Sequence, residues 1–290
     1  MTATRREADV DFEPVYHHYG PHRAGLPPMI PYLRELWHRR SFAVEMSRAT
    51  MRGANVTTFF GQAWMVLNPL LLALIYFLLV TIIRQRAEPL YFAHLTLNLF
   101  LFTLMSAAVT TGSTSVVRSG RLLINTAFPR LLIPFSAVRT AFFRFLPTIP
   151  IYLVIHAIFV NQWHPRMLLA FYFILTTLVF SIGLSAIFAT LQVYFRDTKN
   201  FLPYLTRIWM YLSPILWMPV MLDSLGRGVQ VIVELNPMYP MLNGYTALVQ
   251  LGEIPPPHVW LIAAGWAFVA LVAGCLLFVS REREFAVRLT

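Results

Sequence analysis

The chain has seven stretches of 15 or more residues without a single Asp, Glu, Lys or Arg, at 53–83, 89–117, 145–165, 167–195, 208–222, 235–252 and 254–280. An α-helix rises ~1.5 Å per residue, so a hydrocarbon core ~30 Å thick takes ~20 apolar residues to cross. Five of the seven runs reach that length. The run 208–222 is short, but Leu202–Leu222 is apolar apart from Arg207, whose long stem can carry its charge to the interface. It reads as a further span, bent near Pro214 and Pro219. The run 235–252 reads LNPMYPMLNGYTALVQLG, and Asn-Pro, Tyr-Pro and Asn-Gly at that density do not make one straight helix. The segment 228–252 is therefore expected as one or two short re-entrant or interfacial helices. The fold class expected is an all-α polytopic membrane protein with six transmembrane helices, at about 64–84, 94–117, 141–161, 167–191, 202–222 and 258–280. Charged residues are only 12 % of the chain, against about 25 % in soluble domains.

Arginine asymmetry sets the expected orientation. With the N-terminus in the cytoplasm, 19 of the 23 basic residues fall inside and only Arg84, Arg86, Arg166 and Arg227 fall outside. This predicts six spans with both termini cytoplasmic. The net charge of +10 lies beside apolar spans, which fits membrane anchoring rather than nucleic-acid binding. Residues 1–31 are polar, with several Pro and no apolar signal-peptide core, and are expected as a mostly disordered cytoplasmic tail. The single cysteine, Cys275, sits in an apolar run and cannot form an intrachain disulfide.

Several chemistries lack their residues. The one lysine, Lys199, follows Thr198, so there is no Gly-Lys-Ser/Thr phosphate loop and no ATP site of that type. No span carries a mid-depth carboxylate of the kind that couples transport to protons or sodium. His94 and His156 read as hydrogen-bonded structural residues. No His/Cys/Asp/Glu group has metal-ligand spacing, and no Gly-x-Ser-x-Gly or paired-carboxylate pattern marks a membrane hydrolase or glycosyltransferase.

Four features remain. First, 32–60 is expected as a basic amphipathic interface helix, where Leu33, Leu36, Trp37, Phe42, Val44 and Met46 alternate with Arg34, Arg39, Arg40, Arg48 and Arg52. It serves as a membrane-surface anchor or as a docking surface. Second, GRLLINTAFPRLLIPF at 120–135 is apolar for a cytoplasmic loop, so Leu122, Leu123, Phe128 and their neighbours, on a short helix interrupted at Pro129, need a burial partner. That partner is either the chain's own helices or another protein. Third, Arg196 and Asp197 can pair locally, and Asp197 can cap a helix starting near Thr198. Fourth, aromatic residues crowd the first and fifth spans: Phe59, Phe60, Trp64, Tyr76 and Phe77, then Tyr204, Trp209, Tyr211 and Trp217. They form an interfacial belt or line a pore, since ring faces stack on sugars without demanding fixed polar contacts.

In order, these pieces resemble the membrane subunit of polysaccharide-exporting ABC transporters, the O-antigen and teichoic-acid exporter permeases. The residues that carry the resemblance are Leu36-Trp37-x-Arg39-Arg40, Gly61-x-x-Trp64-x-x-x-Asn68-Pro69, Phe128-Pro129-Arg130 through Ile133-Pro134, Tyr194-Phe195-Arg196-Asp197, Leu212-Ser213-Pro214-Ile215 and Leu235-Asn236-Pro237-Met238. Together they cover about residues 32–290.

The resemblance implies a type-2 ABC exporter permease fold and a homodimer working with two copies of a separate ATPase, which binds the ATP and magnesium. It makes 120–135 the coupling helix that grips that ATPase, with Leu122, Leu123, Phe128, Pro129 and Arg130 at the contact. Trp37, Arg39, Arg40, Arg48 and Arg52 fall in a gate helix beside substrate entrance, where Arg48 and Arg52 are first candidates to receive a diphosphate through guanidinium forks. Phe59, Trp64, Tyr76, Phe77, Tyr204, Trp209 and Tyr211 would line the channel, and 228–252 the outer mouth. The implied substrate is a polyprenyl-diphosphate-linked polysaccharide. The long tail and arginine-rich composition are similar to the galactan exporters of actinobacterial arabinogalactan biogenesis. Competing expectations are a small-molecule export permease of the same superfamily and a membrane enzyme acting on lipid-linked sugars.

Overall fold

The computed structural model describes residues 28–289 apart from 55–58, 86–88, 127, 220 and 222–225. The expected tail, 1–31, lies almost wholly outside the described residues, as do Arg86 and Ala127. All regular structure among the described residues is helical. Two short helices, α1 (Met29–His38) and α2 (Arg40–Gly53), precede a 3₁₀ turn at Gly61–Ala63 and α3 (Trp64–Arg84). There follow α4 (Pro89–Arg118), α5 (Gly120–Asn125), α6 (Leu132–Phe145) and α7 (Thr148–Phe159). The second half holds α8 (Phe171–Tyr194), α9 (Thr198–Leu212), α10 (Arg227–Glu234), α11 (Met238–Thr246) with a π turn at Ala247–Leu251, and α12 (Pro257–Leu289).

Five segments are long and apolar enough to cross a membrane: Gly61–Ile83, Leu90–Arg118, Leu132–Phe159, Pro165–Tyr194 and Pro257–Phe285. They correspond to the first, second, third, fourth and last of the six expected spans. The expected span at 202–222 folds differently. Its helix, α9, has 15 residues, about 22 Å at ~1.5 Å per residue. It stops at Ser213, whose ψ of 153° is extended, because the ring of Pro214 clashes with a helical residue before it.

Other boundaries also moved. The expected interface helix is two helices broken at Arg39. The 120–135 segment is not one interrupted helix: α5 ends at Asn125, and Leu132 already opens the third span. That span is itself jogged between Phe145 and Thr148, where Pro147 supplies no N–H. The short helices expected in 228–252 are α10 and α11.

The bundle is built around α4. Leu95, Leu97, Leu99, Leu101, Leu104 and Met105 are each at most 1 % exposed, as suits a helix apolar on every side. Between helices in a bilayer the hydrophobic effect is weak, so association relies on close van der Waals contact. Small residues provide it. A Cβ on Gly183 would lie 2.1 Å from the Ala270 carbonyl oxygen, and one on Gly274 2.1 Å from that of Gly183, so α8 and α12 meet backbone to backbone. A Cβ on Gly112 would strike the Ser185 hydroxyl, placing α4 equally close to α8. Polar side chains within these helices satisfy themselves locally: Thr96, Thr110, Thr111, Ser113, Thr177, Ser181 and Thr190 each donate to a carbonyl one turn back. His156 is fully buried with Nε2 2.8 Å from the Gln162 carbonyl. His94 is buried 3.3 Å from the Asn98 amide.

Candidate functional site

Three places along the molecule draw the expected site residues together or apart. The first is where α1, α2 and the 126–131 connection meet the protruding end of α12. At 33 residues, α12 is about 50 Å long and outlasts any hydrocarbon core, so its charged last turns stand clear. The Tyr32 hydroxyl donates to Glu282 Oε2 at 2.8 Å, and Arg130 donates through Nη1 to the Glu282 carbonyl. Burial, and then the adjacent carboxylate, push the Tyr32 phenol well above its ordinary range, so it is a neutral donor. Phe128 packs on Phe42 with centroids 4.6 Å apart. Leu123, Leu131 and Ile133 are buried with Val193, Phe278 and Phe285. Pro129 is buried, while Leu122 and Phe128 stay half-buried. The apolar residues of 120–135 thus find much of their cover within the chain.

The arginine cluster beside this junction is spread along α1 and α2. Trp37 is 68 % exposed, with the Arg40 guanidinium 4.7 Å from its ring centre. Arg39 pairs with Glu35 at 3.2 Å and Arg48 with Glu45 at 2.6 Å, all on exposed side chains, where ion pairs contribute little. Arg52 is exposed in the last turn of α2. The helix is fastened to the bundle by Thr140 donating to Ser47 Oγ at 2.9 Å and by Arg139 donating to the Val44 carbonyl at 3.4 Å.

The second place is a groove of about 320 Å³ between α3, α4 and α9. Tyr76 and Arg207 stand on its walls, and Thr103, Ser106 and Thr110 run along α4 as its floor. These spacings of three and four keep the hydroxyls on one face. The Tyr211 ring meets Tyr76 edge to face at 6.5 Å, and Tyr204 is 66 % exposed one turn along α9 from the groove's Arg207. The remaining expected channel residues go elsewhere. Phe77 turns inward onto Tyr91 and Phe92. Trp209 packs on Phe180. Phe59 is 97 % exposed ahead of the span, and Trp64 faces a separate cavity.

The third place is at the C-terminal end of α9. The Trp209 indole donates to Asn236 Oδ1 at 2.6 Å. Asn236 Nδ2 lies within donating distance of the Leu212 carbonyl and Ser213 Oγ, at 3.1 and 3.0 Å. The Met238 N–H donates to Oδ1 at 3.0 Å. Two sequence motifs about 20 residues apart, Leu-Ser-Pro-Ile and Leu-Asn-Pro-Met, are therefore two halves of one knot. Nearby, Tyr91 donates to the Leu216 carbonyl at 2.9 Å, and Trp217 stacks on Tyr239 at 6.4 Å.

One local expectation fails. Arg196 and Asp197 are exposed and do not pair, and Asp197 occupies the cap position of α9 without a side-chain hydrogen bond. Its backbone is already helical, which turns the carboxylate away from the free N–H groups. Among the described residues there is no cluster of three or more His, Cys, Asp or Glu suited to a metal ion. Sequence reasoning missed Tyr32, Glu282 and Asn236 as ties. Glu282 lies between two arginines and reads as solvated charge; the signal was its place on the same helix face as Phe278 and Phe285, four residues after one and three before the other.

No family model matches the chain. It is 27 % identical over 260 residues to an O-antigen export system permease protein, RfbA, of Myxococcus xanthus, covering 89 % of this chain and 99 % of that one. Two RfbA permeases of Klebsiella pneumoniae are 26 % and 27 % identical over 78 % of this chain and 86 % of theirs. Along nearly its whole length, then, the chain is similar to permease proteins of O-antigen export systems, as its six motifs indicated, and it is a multi-pass protein of the bacterial inner membrane.

Proposed function

We propose that this chain is the transmembrane subunit of an ATP-driven exporter of polyprenyl-diphosphate-linked polysaccharide, with galactan for cell-wall arabinogalactan as the glycan. The observation that carries the reading is the similarity to O-antigen export permeases over 89 % of the chain. The groove supports it: Tyr76 and Tyr211 offer ring faces and Thr103, Ser106 and Thr110 a row of hydroxyls, weak repetitive contacts that suit a sliding sugar polymer. In this reading the chain works as a homodimer whose two grooves face each other. Both termini are cytoplasmic, and α9 with the irregular 213–219 segment makes the sixth crossing. Two copies of a separate ATPase, holding ATP and magnesium, dock on the part of 120–135 that the chain leaves uncovered, chiefly Leu122 and Phe128. The arginines of α2, Arg48 and Arg52 foremost, meet the diphosphate on its way in, and Arg196 and Asp197 lie in the cytoplasmic turn before α9.

The test is depletion of the chain in its own cell, followed by extraction of lipid-linked glycan. Accumulation of that glycan on the inner face is expected. Unchanged glycan with altered drug sensitivity would replace this reading with small-molecule export. Co-purification supplies the second arm: an ATPase is retained by the native chain and lost from Leu122→Glu.

A further inference from the structure

Arg144 lines a second cavity, of about 290 Å³, between α3, α4 and the α6–α7 jog. Trp64, Asn68, Thr103 and Thr148 share its wall. The side chain is half-buried, and its Nε is shielded from solvent without a hydrogen-bond partner. Among the described residues no carboxylate lies within ion-pair distance of it. A guanidinium held in this way, inside a segment that crosses the membrane, is costly unless an anion completes it.

Its depth says which anion. Thr140, one turn earlier on α6, is bonded to Ser47 of the amphipathic helix α2, so Arg144 lies about 6 Å beyond the plane of that helix. Interfacial helices sit at the boundary between headgroups and chains, and Trp64, in the same cavity, is a residue type that favours that level. Behind the cavity, Phe100, Phe145 and Thr148 also form one wall of an apolar hollow of about 280 Å³, lined further by Leu97, Ile149 and Tyr152. The Arg144 cavity and the apolar hollow adjoin at these shared residues, which sets a guanidinium next to apolar surface, the pairing that a lipid headgroup and its chain present.

We infer that the Arg144 cavity is a binding site for a phosphate-headed lipid, with the phosphate oxygens on the guanidinium fork and the amide of Asn68 and hydroxyl of Thr103 completing the shell. The phosphate comes either from a membrane phospholipid or from a polyprenyl diphosphate, and the latter source rests on the proposed export reading. Thr103 also belongs to the floor of the groove, so a headgroup held here stands at the groove's edge.

The experiment uses the full-length chain in detergent with three probes: undecaprenyl diphosphate, phosphatidylglycerol and uncharged diacylglycerol, their retention read by native mass spectrometry. Retention of one or both phosphate lipids over diacylglycerol is expected, falling at least tenfold in Arg144→Gln, as loss of a charge-assisted contact implies. Asn68→Asp, which brings a carboxylate into the arginine's cavity, is expected to lower retention equally, and melting of both variants separates a lost site from a lost fold. A loss confined to undecaprenyl diphosphate identifies the lipid-linked source, and a loss confined to phosphatidylglycerol identifies the membrane source, whether or not the chain exports glycan. Retention equal to wild type in both folded variants, or equal retention of diacylglycerol, overturns the site.

Discussion

Tyr32 and Glu282 are 250 residues apart and joined by a 2.8 Å hydrogen bond from phenol to carboxylate. Through it the first described helix is tied to the last. Arg130, on the connection into the third span, reaches the same residue's carbonyl. A movement of the 120–135 segment therefore cannot leave α1 and α12 undisturbed. If 120–135 is the docking loop proposed above, this junction would carry a partner's motion from that loop to α1 and α12.

Removing the phenol tests the tie. Tyr32→Phe leaves Glu282 half-buried without its neutral donor, and a loss of about 1.5–3 kcal/mol is expected, the usual range for a hydrogen bond to a charged group. Thermal melting in detergent measures it. Because burial raises the phenol's pKa in the folded state, the contribution is fully present below the unfolded tyrosine pKa of about 10 and declines as pH rises past it. The gap in melting temperature between wild type and Tyr32→Phe should then be constant from pH 7 to 9 and shrink in stronger alkali. A gap that widens with alkali would contradict the neutral-donor assignment.

The Asn236 knot makes a sharper demand. Asn236→Ala strands the Trp209 indole and the Leu212 carbonyl together, and about 2–3 kcal/mol is expected. Trp209→Phe removes one bond and should cost about 1 kcal/mol beyond its packing loss. Since both act on one network, a double-mutant cycle should return a coupling of about 0.5–2 kcal/mol. Additive effects would mean that the two motifs only happen to be adjacent.

Much of this was legible in the chain and some was not, for identifiable reasons. Long charge-free runs fixed the apolar spans, since few other segments can lie in hydrocarbon, and α3 occupies the expected 64–84. Hydropathy reports apolarity but not backbone continuity, so the span expected to bend near Pro214 instead stops at Ser213. Which ring of a helix faces the groove is a matter of about 100° per residue. Tyr76 and Phe77 are neighbours in sequence yet lie on the groove and in the core, respectively. Arg144 falls near the start of the expected third span, 141–161, and so counts with the cytoplasmic charges. The helix around it begins at Leu132, and the arginine is carried inward. The pairing of Leu-Ser-Pro-Ile with Leu-Asn-Pro-Met depends on tertiary closure that neither motif encodes alone.

The α8–α12 seam separates close approach from helix propensity. A Cβ on Gly274 would lie 2.1 Å from the Gly183 carbonyl oxygen, while one on Gly265 of the same helix meets nothing within 4 Å. Gly274→Ala must push two backbones apart and is expected to cost about 1–3 kcal/mol or more. Gly265→Ala should be neutral or stabilising by up to ~1 kcal/mol, since alanine favours the helix. Melting of the two single variants decides the matter, and equal effects would remove the argument for backbone contact.

Ser106 tests the groove. Its side chain lies on the floor between Thr103 and Thr110, facing Tyr76 and Arg207. Leucine there adds bulk to a groove of about 320 Å³ and removes a hydroxyl, yet it occurs in a helix that tolerates leucine well. Ser106→Leu is therefore expected to melt within ~0.5 kcal/mol of wild type while export of the lipid-linked glycan falls severalfold. Tyr76→Phe keeps the ring face and should retain most transport, and Tyr76→Ala should not, because stacking on sugar needs the ring rather than the hydroxyl. ATP hydrolysis by the assembled complex distinguishes the site of the defect. Hydrolysis that continues while glycan accumulates inside places the block in the groove. Hydrolysis lost together with export would mean that these positions act on assembly with the ATPase, and the groove would no longer be the path.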